Sequence, residues 1–205
     1  MTISPGPILV VEDIPTVLEL LDVTLRYNGY TVLTAHNGQE AVEIIKKTPP
    51  VLLITDILMP RLDGFSLAQQ VRTDPATHTI PIIFLSAAYV TPEDKIFAHS
   101  LGAILFMEKP VDTEDFLLTI AEVLAQGVPE TTPTLSEDDF YKGYRERLEM
   151  KLQHKNNQIA RTERLLQTLS TDQRPAYQAL LDLARHDRDE IQKELNQLYI
   201  ALDGN

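Results

Sequence analysis

Asp56 closes an apolar run, Val51-Leu52-Leu53-Ile54-Thr55, and is followed by Ile57-Leu58-Met59-Pro60. An unbroken run of this kind reads as a strand covered on both faces, as in a parallel sheet. In open α/β sheets, chemistry gathers at the carboxyl ends of the strands. Three further apolar runs end in polar residues of the same sort. Ile8-Leu9-Val10-Val11 leads to Glu12 and Asp13, Ile80-Pro81-Ile82-Ile83-Phe84-Leu85 to Ser86, and Ala103-Ile104-Leu105-Phe106-Met107 to Lys109-Pro110. Taken singly, each has an ordinary use: an acid as a helix cap, a serine as a turn former, a lysine as a solvated charge. If the strands are parallel, all of them fall on one edge.

That conjunction has specific chemistry. Clustered carboxylates repel one another and favour a divalent cation, and hard oxygen donors with few protein carboxylates suit Mg²⁺. A lysine and a hydroxyl nearby can neutralise and hydrogen-bond a phosphoryl group. An aspartate carboxylate can itself act as nucleophile and form an aspartyl-phosphate. The chain has no Gly-x-x-x-x-Gly-Lys run, which argues against nucleotide binding by that loop.

The elements that must position these groups alternate apolar runs with amphipathic stretches, the pattern of a parallel sheet with helices on both faces. We expect strands near 8–12, 30–34, 51–55, 80–85 and 103–107, and helices near 14–28, 38–47, 64–73, 92–101 and 112–125. The punctuation agrees: Asn28-Gly29 ends the first helix, Asn37-Gly38 opens the second, and Pro49-Pro50 precedes the central strand. Thr91-Pro92-Glu93 and Asp112 begin later helices. Pro81, inside an apolar run, points to a strand start or an edge. Five strands in the flavodoxin-like order 2-1-3-4-5 would put the site at the switch point between the first and third strands.

From about Pro5 to Gln126 the chain resembles the receiver domains of two-component response regulators. The resemblance rests on Glu12-Asp13, Asp56 with Met59-Pro60 and Asp63-Gly64, Ser86-Ala87, Gly102-Ala103, Phe106 and Lys109-Pro110, all in order. It implies that Asp56 is the phosphoacceptor and that Glu12, Asp13, Asp56 and the Leu58 backbone carbonyl hold Mg²⁺. By the same resemblance Ser86 would hydrogen-bond a phosphoryl oxygen, Lys109 would pair with the phosphoryl group, and Phe106 would be the switch aromatic. Two departures stand out. Glu12 replaces the commoner Asp. Phe106 replaces the commoner Tyr and has no hydroxyl, so any switch there must run on packing. The partner implied is a sensor histidine kinase or phosphotransfer protein. The only enzymatic chemistry expected is self-phosphorylation and self-dephosphorylation.

The 205 residues allow one ordinary domain and a smaller one. Cysteine is absent, so there is no disulfide and no thiolate metal site. No stretch approaches the ~20 apolar residues of a membrane span, and the start shows no charged n-region. These features lead us to expect a cytoplasmic protein that binds no membrane. Net charge is −12, divided as −9 over residues 1–126 and −3 over 127–205. Neither part is a basic footprint for nucleic acid.

We assign residues 1–126 to the receiver, 127–136 to a Pro- and Thr-containing linker and 137–205 to a two-helix antiparallel hairpin. Ser136 before Glu137-Asp138-Asp139 looks like a helix cap with acids in the first turn. In the second helix Tyr177, Leu181, Ala184, Arg188, Ile191, Leu195, Leu198 and Leu202 form a heptad stripe broken by Arg188. In the first, Tyr141, Leu148, Leu152, Lys155, Ile159, Thr162, Leu166 and Leu169 form a weaker one, interrupted by Lys155 and Thr162. The intervening turn suggests Asp172 as a cap, with Pro175 at the third helical position. Two such helices bury only one seam, so a homodimer forming a four-helix bundle is expected. The hairpin would serve dimerisation or the docking of a downstream protein. His154 and His186 lie on these helices. His186, followed by Asp187, resembles the phosphoacceptor region of phosphotransfer helices, and the alternative function is a phosphorelay intermediate that uses it. A solvated histidine on a charged face is the plainer account.

Overall fold

The computed structural model describes residues 6–86, 92–126, 135–170 and 173–203. It divides into two compact units, residues 1–135 and 136–205. Most of the expected linker (127–134), Thr91, Ala87 and Asp172 lie outside the described residues.

The first unit alternates strand and helix throughout. The strands are β1 (Ile8–Val11), β2 (Val32–Ala35), β3 (Leu52–Asp56), β4 (Ile82–Ser86) and β5 (Leu105–Glu108). Between and after them run α1 (Pro15–Tyr27), α2 (Gly38–Lys47), α3 (Gly64–Thr73), α4 (Pro92–Ser100) and α5 (Thr113–Gln126). All strand pairs are parallel, in the order β2-β1-β3-β4-β5. Burial follows the order. β1, β3 and β4 are buried at every residue, whereas the edge strands β2 and β5 are not. This is why the central strands read as continuous apolar runs and the edge strands do not.

β1 starts at Ile8 as expected, but the other four strands start later than the apolar runs suggest. Tyr30 and Thr31 precede β2, and Pro81 sits one residue before β4. Pro81 has no N–H for the ladder, yet its carbonyl accepts from Leu53 N at 2.9 Å. One sheet face packs Ile8, Val10, Ile54 and Ile83 against Leu18, Leu21 and Leu25 of α1 and Phe116, Ile120 and Val123 of α5. In the core, the Phe65 ring meets Phe84 and Phe97 edge-on at 4.9 and 5.1 Å.

Asn37 caps α2. Its Oδ1 accepts from Glu40 N at 3.0 Å, its Nδ2 donates to Glu40 Oε1, and Glu40 Oε2 accepts from His36 N. The His36 N–H holds the Glu40 carboxyl below its usual range. Asn37 is 3 % exposed, so water cannot replace the lost cap readily. Asn37→Ala is expected to destabilise the receiver by about 1 kcal/mol, read as a lower denaturant midpoint with unchanged slope.

The second unit is a pair of long helices, α6 (Glu137–Thr168) and α7 (Arg174–Asp203). They run antiparallel, because Tyr144 meets Glu194, Lys155 meets Asp187 and Glu163 meets Arg185. Ser136 caps α6, its Oγ accepting from Asp139 N at 3.1 Å. Helix α7 begins at Arg174, which makes Pro175 its second residue rather than its third. The seam buries Leu148, Ile159, Leu181, Ala184, Leu195 and Leu198. Lys155, which looks in the sequence like a break in the stripe, is itself 3 % exposed, and its Nζ donates to Asp187 Oδ2 at 2.7 Å. No helix among the described residues is long and apolar enough to cross a membrane.

Candidate functional site

Parallel register brings the strand ends level. Val11 pairs with Thr55, Asp56 with Leu85, and Ser86 with Glu108. Glu12 therefore follows β1 beside Asp56, the last residue of β3, and Ser86 ends β4 one position beyond Leu85. Lys109 follows β5, its backbone N donating to Ser86 O at 2.7 Å, and the Lys109–Pro110 peptide is cis.

The Lys109 ammonium joins these ends. Its Nζ donates to Asp56 Oδ1 at 2.6 Å and to Glu12 Oε2. The other carboxylate oxygens are held by backbone: Asp56 Oδ2 accepts from Leu58 N at 2.9 Å, and Glu12 Oε1 from Ile14 N at 3.3 Å. Asp56 is 6 % exposed and Glu12 fully buried. Burial pushes the Asp56 carboxyl up to about 6; the Lys109 charge and hydrogen bond pull it down, while Glu12 and Asp13 add to the rise. For Lys109 the balance differs. Burial works against its charge, but Asp56 and Glu12 together raise its pKa above the usual lysine range. The group is thus a buried, positively clasped pair of acids, with Asp56 costly to ionise.

Asp13, Leu58 and Ser86 follow or end strands at the same carboxyl edge of the sheet. Asp13 is half-buried and Leu58 48 % exposed at the rim. Ser86 is buried. Phe106 is half-buried on edge strand β5, in register with Phe84. His154 and His186 stand exposed on α6 and α7, in the other unit.

Two features escape a reading by residue type. The first is that Glu12 and Lys109 pair directly. The second is Gly64. Its N donates to Ile57 O at 2.9 Å, and a Cβ placed there would overlap the Asp56 carbonyl oxygen. Asp63 fixes this approach by capping α3, its Oδ1 accepting from Phe65 N and Ser66 N at 2.9 and 3.1 Å. The Asp63-Gly64 dipeptide was the available signal, but on its face it marks only a helix start.

Glu12, Asp13, Asp56 and the Leu58 carbonyl are hard oxygen donors of the kind that suit a Mg²⁺ ion. Among the described residues no three His, Cys, Asp or Glu side chains are gathered as a metal site. Lys109 lies between Glu12 and Asp56, so a divalent cation bound there would share these two carboxylates with the ammonium.

A parallel 2-1-3-4-5 sheet with acids and a lysine at its carboxyl edge defines a class. Residues 8–121 match the response regulator receiver domain, and the chain belongs to that family. Among its relatives is protein PilH of Pseudomonas aeruginosa, 37% identical over 118 residues that cover 58% of this chain and 97% of PilH. The DNA-binding dual master transcriptional regulator RpaA of a Synechocystis species is 32% identical, over 57% of this chain and 48% of its own length. Among solved structures, the chemotaxis protein CheY4 of Vibrio cholerae superposes with a TM-score of 0.55 at 30% identity, covering 58% of this chain and 98% of that one. The family and these neighbours make the first unit a signalling receiver, consistent with phosphorelay signalling.

Proposed function

We propose that this protein is the response regulator of a phosphorelay, accepting a phosphoryl group on Asp56 in a Mg²⁺-dependent reaction. The donor is a sensor histidine kinase or a phosphotransfer protein. The output is a change in how the hairpin, 137–205, pairs with a second copy or docks a downstream protein. The observation that carries this reading is the clasp: a buried strand-end aspartate, one oxygen held by Lys109 at 2.6 Å and the other by Leu58 N at 2.9 Å.

In the transfer, an Asp56 carboxylate oxygen bonds to phosphorus as the bond from phosphorus to the donor breaks. The donor leaves with that bonding pair and takes up a proton. A Mg²⁺ held by Glu12, Asp13, Asp56 and the Leu58 carbonyl would supply charge neutralisation for the phosphoryl oxygens. Lys109 passes from the carboxylate to a phosphoryl oxygen, and the buried Ser86 hydroxyl donates to another. Phe106, lacking a hydroxyl, responds by repacking at the β5 edge. Water attack on phosphorus later restores the carboxylate. Cytoplasmic placement fits a cysteine-free chain whose donor is a kinase. The balance of −3 over residues 127–205 fits a protein partner rather than nucleic acid.

The test is acyl-phosphate formation by the full chain with a small phosphodonor and Mg²⁺, with the label located by mass spectrometry. A label on Asp56 is expected; a label elsewhere, or none, overturns the reading. Lys109→Ala separates metal from switch. Without the ammonium competing for Glu12 and Asp56, calorimetry should show Mg²⁺ binding at least as tight as in the parent. The conformational response to a beryllofluoride-type phosphoryl mimic should be lost. A normal response in that variant would remove Lys109 from the switch.

A further inference from the structure

The two broad sides of the hairpin differ. One is closed by exposed polar pairs, Arg185 to Glu163 at 2.8 Å and Tyr199 to Glu149 at 2.8 Å. The other contains the Lys155–Asp187 and Tyr144–Glu194 contacts. On that side Leu180, Leu183 and Asp187 follow one another at i, i+3 and i+7, and Lys155, Gln158, Thr162 and Leu165 at i, i+3, i+7 and i+10. Such spacings keep residues on one helix face. Toward the turn end this side therefore gathers Leu165, Leu180 and Leu183, and they are 40 %, 52 % and 54 % exposed. Beneath them Ile159, Leu181, Ala184 and Leu166 form the seam. Clustered exposed leucines on a helical surface mark an interaction site.

Charge identifies the occupant. Residues 137–168 of α6 carry seven basic and six acidic side chains, a balance of +1, with the excess of basic residues lying from 147 onward. Residues 174–203 of α7 carry four basic and six acidic ones, a balance of −2. A surface with one helix of each sign is complementary to itself when turned about a two-fold axis running along the helices. That axis lays α6 of one copy on α7 of the other, antiparallel, with both turns at the same end. It also sets Leu165 of each copy against Leu180 and Leu183 of its partner. An isologous contact needs this kind of self-complementarity, and opposite-sign helices fix its orientation.

We infer that the Leu165, Leu180 and Leu183 side of the hairpin is the surface on which a second copy of this chain packs, α6 against α7, in a four-helix bundle with both turns at one end. This rests on the reading of the hairpin as a pairing module. It adds which surface pairs and in what orientation.

The chain has no cysteine, so single introduced thiols report the geometry directly. Full-length Leu165→Cys and Leu183→Cys chains, mixed in equal amounts under mild oxidation, are expected to cross-link to each other faster than either does alone. Asn156→Cys, exposed on α6 away from this side, serves as the background. In sedimentation equilibrium the parent should dimerise. Leu180→Glu/Leu183→Glu should weaken association at least ~100-fold, the scale of burying two charges in an apolar contact. Both leucines are exposed, so unchanged far-ultraviolet circular dichroism should show that the helices persist. A dimer undiminished by the double substitution, Asn156→Cys cross-linking as fast as the mixed pair, or a monomeric parent with and without the phosphoryl mimic overturns the inference. Loss of Asp56 labelling with the dimer intact would overturn the phosphorelay reading alone.

Discussion

Asp56→Asn is expected to abolish acyl-phosphate formation and, at neutral pH, to raise the melting temperature of the receiver. The first effect follows from chemistry, since an amide oxygen does not form the acyl-phosphate. The second follows from burial. The Asp56 carboxyl titrates near 6 in the folded chain against an ordinary 3.8, chiefly because burial disfavours its charge. The folded state thus holds the proton more tightly than the unfolded state does. The stability linked to that proton is complete below the unfolded value near 4 and is lost as pH rises through 6. At pH 7.5 the parent carries the full cost of the ionised acid and the asparagine variant does not. A shift of this size corresponds to roughly 3 kcal/mol at most. The gain should be smaller, about 1–2 kcal/mol, because the amide is a poorer acceptor for Lys109. The difference should fade by pH 4. Thermal melts at the two pH values check this, and a variant less stable than the parent at pH 7.5 would mean that the Lys109 pairing outweighs burial. Retained labelling with a small phosphodonor would remove Asp56 as the acceptor.

Gly64→Ala should be the most damaging single methyl in the receiver. Its Cβ would overlap the Asp56 carbonyl oxygen and lie 3.1 Å from the Asp56 carbonyl carbon and Ile57 Cα. All three are backbone atoms of the β3 exit, so no side chain can swing aside. Either α3 retreats, breaking the Gly64 N to Ile57 O bond of 2.9 Å, or the Asp56 peptide rotates away from Lys109. Overpacking of this kind costs about 1–3 kcal/mol, occasionally more, and the rigid neighbours put Gly64 at the upper end. Chemical denaturation measures the stability loss. The folded variant should also label Asp56 more slowly. A variant of parental stability and labelling rate would show that α3 is not seated against β3 as described.

Both expectations concern the β3 exit, and the sequence discloses its parts unequally. Leu52 to Asp56 is legible because every residue of a central strand is buried, leaving an apolar run whose end can be located to one residue. The same logic places Glu12 and Ser86. Edge strands are harder. β2 has a neighbouring strand on one edge only, and its two buried residues, Val32 and Ala35, point to opposite faces in a stretch that also fits a start at Tyr30. Pairings across the sheet leave no trace in a linear pattern. Glu12 and Lys109 are 97 positions apart, and nothing local says that the ammonium bridges two acids. The Asp63-Gly64 pair is visible, but the role of Gly64 is not: it lies in what a side chain would collide with, and that depends on the crossing of α3 over β3. In the hairpin, Lys155 misleads because a lysine on an apolar stripe reads as a defect until its Asp187 partner, 32 residues on, is in view.

That buried ion pair limits how the hairpin can move. A one-turn slip of α7 along α6, about 5.4 Å, would carry Asp187 away. The Lys155 ammonium would then lie level with Leu183 and Ala184 in one direction, which offer no carboxylate, or with Glu190 and Ile191 in the other. Sliding that carries Ala184 toward Lys155 is therefore opposed. The Lys155–Asp187 contact is thus a detent for the register of α6 and α7.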